Sequence, residues 1–225
     1  MATLRRANYR LLLGLQLVLL LAYPLAVELR YGLAIVNGLL MIVLVSGVYA
    51  VSERRIMAVV LGVAGLLLAA NHWLAFFTGL GWPAVVADIL GGLFFCLVAW
   101  ALLSRLLFEP EVQVDTIVGA ISVYLLVGFA FAFLHSATVQ MAPGSYAAVL
   151  PPGSLAQGQR GGEFFELLYF SLVTLSTLGF GDLVPVHPVA RVLSVIEVMF
   201  GQIYLTVLVA RLVGLHISLR SMHRP

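Results

Sequence analysis

Charge is what this sequence lacks. Only 10% of its 225 residues are charged and 62% are hydrophobic, whereas a soluble domain is about 25% charged and about 45–50% apolar. So few charges cannot cover a water-facing surface, which argues against a soluble enzyme, a nucleic-acid binder and a disordered tail. Lysine is absent: all 12 basic residues are arginine, and the formal net charge of +2 is too small to attract a polyanion. Cysteine is reduced to Cys96, so no intrachain disulfide can form and the thiol says nothing about compartment. Lying in an apolar run, Cys96 is expected to be a small buried hydrophobe. No nucleophile–base constellation and no HExxH-type metal pair stands in the chain, so neither catalysis nor a cofactor is expected.

Apolar runs are what the sequence has in excess. Six stand out: Leu11–Val27, Gly32–Val51, Ile56–Phe77, Ala84–Leu107, Thr116–Leu134 and Val189–Leu215. At about 20 residues per crossing helix, they fill the chain and leave no room for a further soluble domain. Between the last two lies Phe164–Val173, too short to cross and of the length of a re-entrant segment. Arg5, Arg6, Arg10, Arg54, Arg55, Arg105, Arg220 and Arg224 fall on one side of such a layout, and only Arg30, Arg160 and Arg191 fall near the other. The positive-inside rule then places both termini in the cytoplasm of a plasma (inner) membrane protein. An arginine-rich start precedes the first run as in a signal peptide, but its small-residue cleavage signal is poor, so it reads as a helix. Charges and Pro110 in Ser104–Asp115 mark a boundary between a four-helix domain, 1–107, and a second domain, 108–225. The loop His135–Glu163, with Pro143, Pro151 and Pro152, is expected to be irregular and mobile.

The short run leads into Thr174-Leu175-Ser176-Thr177-Leu178-Gly179-Phe180-Gly181-Asp182. Non-helical backbone at bilayer depth is tolerated only inside protein or along a water-filled path. A dehydrated cation gives carbonyls a reason to stay unpaired, and four chains around an axis would present rings of them. Gly179 and Gly181 can take the positive φ that turns successive carbonyls one way. Thr177 adds a side-chain oxygen. The preceding helix aims its partly negative end at the cation, with Glu163 and Glu166 at its positive start.

Here the sequence resembles the tetrameric potassium channels. Thr177-Leu178-Gly179-Phe180-Gly181-Asp182 is similar to their selectivity-filter signature, and the likeness runs from about Phe164 to Leu215. The resemblance implies an all-α membrane protein with six transmembrane helices, and a re-entrant pore helix and filter between the fifth and sixth. It implies a homotetramer conducting potassium at Thr177, Leu178, Gly179, Phe180 and Gly181, with Asp182, Glu163 and Glu166 making an electronegative outer mouth. Tyr169 and Phe170 match the aromatic pair that braces the filter, with Thr174 beside them. Arg191 matches a frequent basic residue, and Gly201 the inner-helix gating hinge. Leu178 replaces the usual β-branched residue. The family's tyrosine–tryptophan contact becomes Phe180 and Phe170, which predicts an aromatic contact between them. Tyr169 could donate its hydroxyl to Asp182.

Aligned on Asp182 and Gly201, the cavity-lining positions are Gln202, Leu205, Val209 and Val213, on one helical face; the last three could gate by dewetting. Glu197 is costly inside a span. It reads either as a structural partner of a hydroxyl such as Ser171 or Thr174, or as a group in gating or pH response. The fourth run has no arginine ladder, and its charges are Asp88 and Arg105. Steep voltage sensing needs roughly 3–4 gating charges per subunit, so conventional voltage gating is not expected. Glu28, Arg30, Asn37, Asn71, His72 and Asp88 share one depth, as helix-bonding polar glue or as a ligand or proton sensor. His135 and His187 are expected to be solvated loop residues. Membrane lipid is the other partner, and a separate regulatory chain is left open because only ten residues follow Leu215. The competing classes are a weakly selective cation channel and a non-conducting accessory or sensor protein.

Overall fold

The computed structural model describes residues 2–27, 32–51, 81–108, 114–148 and 160–222, with a few isolated helical positions between 59 and 66. Most of the expected run Ile56–Phe77 therefore lies outside the described residues. What is described is almost wholly helical: α1 (Ala2–Val27), α2 (Gly32–Val51), α3 (Gly81–Phe108), α4 (Val114–Met141), α5 (Arg160–Leu175) and α6 (Pro188–Met222). Two short strands complete it, β1 (Tyr146–Ala148) and β2 (Leu183–Pro185). Among the described residues, three stretches are long and apolar enough to cross a bilayer: Ala84–Leu107, Val114–Met141 and Pro188–Arg211. Tyr9–Tyr23 and Gly38–Ala50 are shorter apolar stretches of α1 and α2.

The helix ends follow local chemistry. Asp115 opens α4 and Glu163 opens α5, where a carboxylate faces the positive end of the helix dipole. Pro188 starts α6, at the position where its missing N–H costs nothing. His187, in the loop before α6, accepts the Val189 N–H at 3.3 Å through Nδ1 and so caps the helix.

In lipid, helices gain little from apolar burial against one another, so close packing and polar contacts must hold them. α3 and α4 form the most intimate pair. Gly91 and Gly92 lie against Phe133 and Leu134, and a Cβ on Gly91 would sit 2.7 Å from the Phe133 ring. Behind them Phe95 stacks on Phe129 and Phe133 at 5.5 and 5.7 Å. α1 reaches the same core: Gln16 Nε2 donates to the Ser122 carbonyl at 3.2 Å, and Arg10 pairs with Asp115 at 2.8 Å. Tyr23 of α1 stacks on Phe165 of α5 at 4.2 Å. Tyr204 of α6 donates to the Ala120 carbonyl of α4 at 2.6 Å.

Two expectations fail here. Cys96 is exposed on the outer side of α3, because the α3 face packed on α4 is occupied by Gly91, Gly92 and Phe95. The loop after His135 is not irregular at its start: α4 continues to Met141, and β1 pairs antiparallel with β2 in the register Tyr146↔Pro185, Ala147↔Val184, Ala148↔Leu183. The backbone N–H groups of Val186 and His187 extend this pairing to the Ser145 carbonyl at 2.9 and 3.2 Å.

Candidate functional site

The site begins where α5 stops. Thr177 N–H donates to the Thr174 carbonyl at 2.9 Å and Leu178 N–H to the Val173 carbonyl at 3.0 Å. These two bonds with a left-handed residue between them are a Schellman ending. The left-handed position is usually glycine, yet here it is Thr177, with φ +62°. Gly179 and Gly181 follow at φ +57° and +77°. Left-handed backbone thus recurs at every second residue through 177–181. Leu178 and Phe180 are 61% and 65% exposed in the single chain.

Both ends of this segment are held. Gln202 of α6 donates to Thr177 Oγ1 at 3.3 Å, so one candidate cavity residue reaches the start of the filter string. At the other end Tyr169 donates its hydroxyl to Asp182 Oδ2 at 2.7 Å, and Asp182 Oδ1 accepts the Leu183 N–H at 3.0 Å. The anticipated Tyr169–Asp182 bond is therefore present. That bond first, then burial and the Asp182 charge, raise the Tyr169 phenol above its ordinary value. Arg191 Nε donates to the Pro185 carbonyl at 3.2 Å, fastening the start of α6 to β2. Glu163 is exposed in the first turn of α5, and Glu166 is half-buried within electrostatic reach of Tyr23.

Gly201 lies where α6 crosses the end of α5. A Cβ there would collide with the Leu175 carbonyl, so the absence of a side chain lets the two helices meet. α6 runs unbroken through this point. Leu205 and Val209 are exposed on α6; the Val213 side chain lies outside the described residues.

Behind this segment the structure departs most from expectation. Phe170 does not touch Phe180: its ring packs edge-on against His135 and Tyr146 at 5.1 and 5.3 Å. No Phe170–Phe180 ring pair occurs among the described residues, because Phe170 points to the α4 side of α5. His135 is not a solvated loop residue but is completely buried on α4. Its Nε2 meets Glu197 Oε2 at 2.9 Å, and its Nδ1 meets the Tyr146 hydroxyl at 2.5 Å. Glu197 Oε1 takes Ser171 Oγ, the first of the two hydroxyls anticipated, and Ser171 also reaches the Gly128 carbonyl at 2.8 Å. The half-buried Thr174 offers its carbonyl to the Thr177 N–H instead. Asp88 finds partners on α4: Ser136 at 2.5 Å and Gln140. Glu28, Arg30, Asn71, His72 and the Asn37 side chain, expected beside Asp88, lie outside the described residues.

The ion channel family model matches residues 119–216, the segment from α4 through the filter string into α6. Over 58 residues the chain is 39% identical to two-pore potassium channel 4 of Arabidopsis thaliana, covering 26% of this chain and 20% of that protein. Over 60 residues it is 35% identical to inward rectifier potassium channel Kirbac3.1 of Paramagnetospirillum magnetotacticum, covering 27% of this chain and 20% of the relative. Over this segment the chain is similar to the ion channel family, and the two relatives that match it are potassium channels. It is a membrane protein, and ion channels are not enzymes. The chain spans about a fifth of the length of these two relatives. No solved structure matches it.

The sequence was informative about the filter-like string and poor about its support. The sequence gives no sign of Tyr146 and reads His135 as a loop residue, because neither sits in a motif and both fall where the pattern turns from helix to loop. The one available signal was Glu197, a buried acid that had to find a partner. Arg211 was also overlooked; its guanidinium reaches the Leu106 carbonyl at the end of α3.

Proposed function

We propose that the chain is one subunit of a homotetrameric potassium-selective channel, with six transmembrane helices and α5 as a re-entrant pore helix. The observation that carries this reading is the left-handed backbone at Thr177, Gly179 and Gly181 within a string that resembles a potassium filter. Alternating handedness turns successive carbonyls the same way, and four such segments around an axis replace an ion's water shell. Thr177, Leu178, Gly179 and Phe180 supply the ion-binding oxygens, and Gly181 permits the turn at the exit. Potassium is the permeant substrate and no cofactor is required. Superfamily members generally assemble as multimers, and one filter segment per chain needs partners to close a ring.

Asp182, Glu163 and Glu166 concentrate cations at the outer mouth. Gln202 lies at the inner end of the filter, while Leu205, Val209 and Val213 form an apolar constriction that shuts by dewetting. Both termini are cytoplasmic and the membrane is the plasma (inner) membrane. Without an arginine ladder the four N-terminal helices do not sense voltage in the conventional way.

Purified protein in a planar bilayer under opposed potassium and sodium gradients tests this. The expected reversal potential follows potassium. Comparable sodium permeability would mean a weakly selective cation channel, traced to Leu178 in place of a β-branched residue. No flux at all would leave an accessory or sensor protein.

A further inference from the structure

Between α1 and α5 lies an apolar groove of about 530 Å³. Its walls include Leu20 and Tyr23 of α1, Leu168, Tyr169 and Val173 of α5, and Leu178 of the filter-like string. Among the described residues Glu166 is the one charged group in its lining, and α6 contributes nothing to it. α6 in turn carries an unmatched stripe. Val195 and Met199 are exposed and follow Arg191 at steps of four, so the three share one helical face. Arg191 is exposed as well. Its Nε donates to the Pro185 carbonyl, and among the described residues no acid pairs with it. The terminal nitrogens of the guanidinium remain for a carboxylate.

Glu166 and Arg191 stand at one level but face apart. Ser171 bonds to Glu197 across the α5–α6 contact, and one turn further on Gly201 lies under the Leu175 carbonyl. The two helices therefore run side by side in the same sense here. Glu166 lies about 7.5 Å back along α5 from Ser171, and Arg191 about 9 Å back along α6 from Glu197. By rotation, Glu166 is roughly 140° round α5 from Ser171, and Arg191 roughly 120° round α6 from Glu197. Each charge is thus turned away from the helix that its own chain supplies.

We propose that the groove receives α6 of a second copy of this chain, with the partner's Arg191 paired to Glu166 and the partner's Val195 and Met199 along the apolar wall. Groove and stripe are different surfaces, so the contact is head-to-tail, and such contacts close into a ring when the rotation allows. The ring of four proposed above supplies that rotation, and the inference rests on it. Charge selects this occupant over a lipid. An anionic headgroup drawn to Arg191 would also meet Glu166, and like charges brought together are costly. The pair balances Glu166, which leaves the outer-mouth charge mainly to Asp182 and Glu163. It also gives α1 a place in the joint. Tyr23 lines the groove and stacks on Phe165 at 4.2 Å, so the N-terminal helices of one subunit touch the inner helix of the next.

The absence of lysine makes the test specific. Arg191→Lys introduces the one side-chain amine, and a carbodiimide joins that amine to a carboxylate in contact with it as an amide. Treatment of the purified full-length variant in detergent is expected to give denaturing-gel bands of two, three and four chains. Peptide mass spectrometry is expected to place the bond between positions 191 and 166. Adding Glu166→Gln is expected to abolish the bands, and the wild type, with its N-terminal amine alone, sets the background. A ladder that stops at two chains, or a 191–166 bond within one chain, overturns the proposal. Native mass of the wild type separates the two readings. Four chains per particle with no 191–166 bond between chains overturns the groove contact and leaves the homotetramer standing. Single chains overturn both. Phospholipid retained by the wild type and released by Arg191→Gln, without that bond, places a lipid in the groove and overturns the proposal. Should Arg191→Lys fail to assemble, charge exchange decides. Glu166→Arg and Arg191→Glu are each expected to cut the four-chain fraction by about tenfold or more, and the two together to restore it. A double variant no better than either single one overturns the proposal.

Discussion

A threonine in the left-handed region costs about 1–2 kcal/mol, and Thr177 at φ +62° bears that cost although glycine would end the helix more cheaply. The hydroxyl explains the choice, since it is what Gln202 reaches. Strain of this kind is characteristic of functional positions. Gly201 presents the opposite case. Its position under the Leu175 carbonyl makes it a packing residue in this conformation, whatever it contributes to bending. Gly201→Ala is expected to destabilise the protein by about 1–3 kcal/mol, the usual cost of overpacking, read as a lower unfolding temperature in detergent. The Tyr169–Asp182 bond carries a pH signature. Because the phenol is raised from 10.0 chiefly by that bond, the bond's contribution is complete below pH 10.0 and is lost as pH rises through the raised value. Asp182→Asn is expected to move the Tyr169 titration back down, measured by phenolate absorbance against a Tyr169→Phe reference.

At the scale of elements, the contact of α3 with α4 combines two devices of unequal weight. Asp88 with Ser136 and Gln140 is a polar link, and such links between membrane helices are worth about 0.6 kcal/mol on average. Ser136→Ala is therefore expected to cost about 1 kcal/mol or less. The glycine contact is steric and stronger. A Cβ on Gly92 already meets Leu134 at 3.1 Å and the Ala130 carbonyl at 3.2 Å, so Gly92→Leu must wedge the helices apart. It is expected to cost about 1–3 kcal/mol and to show as a lower unfolding temperature. The ordering of these two variants tests whether packing or polar bonding holds this pair. The β1–β2 pairing ties the segment before α5 to the segment after the filter-like string.

For the whole molecule, the decisive feature is α6. Val192, Val195, Ile196, Met199, Ile203 and Val207 are all exposed, and its membrane-length stretch is far less buried than that of α4. Its exposed apolar faces are suited to lipid and, on the proposed reading, to neighbouring subunits. Mass measurement in detergent is expected to give four chains per particle. Current through it is expected to vary little with voltage, since the described span of α3 carries no repeated arginines to supply the roughly 3–4 gating charges that steep dependence needs. Val209→Asn, which wets the proposed apolar constriction, is expected to raise the resting open probability in single-channel recordings.

The sequence alone determined that this is a membrane protein with a filter-like string, because both rest on local facts: apolar runs of a given length, and the order Thr177 to Asp182. Tyr169 and Asp182 were legible as partners for the same reason, lying in one motif. What the fold decided was long-range. His135 and Glu197 are 62 residues apart, and no periodicity says that α4 and α6 turn these two side chains toward each other. Phe170 was misread because one residue's step around α5 chooses between the filter and the α4 side. Cys96 was misread because apolar composition does not reveal which face of α3 meets protein. In a membrane chain both faces of a helix are apolar, so the hydrophobic pattern that orients helices in water carries little information here, and the neighbours must be seen.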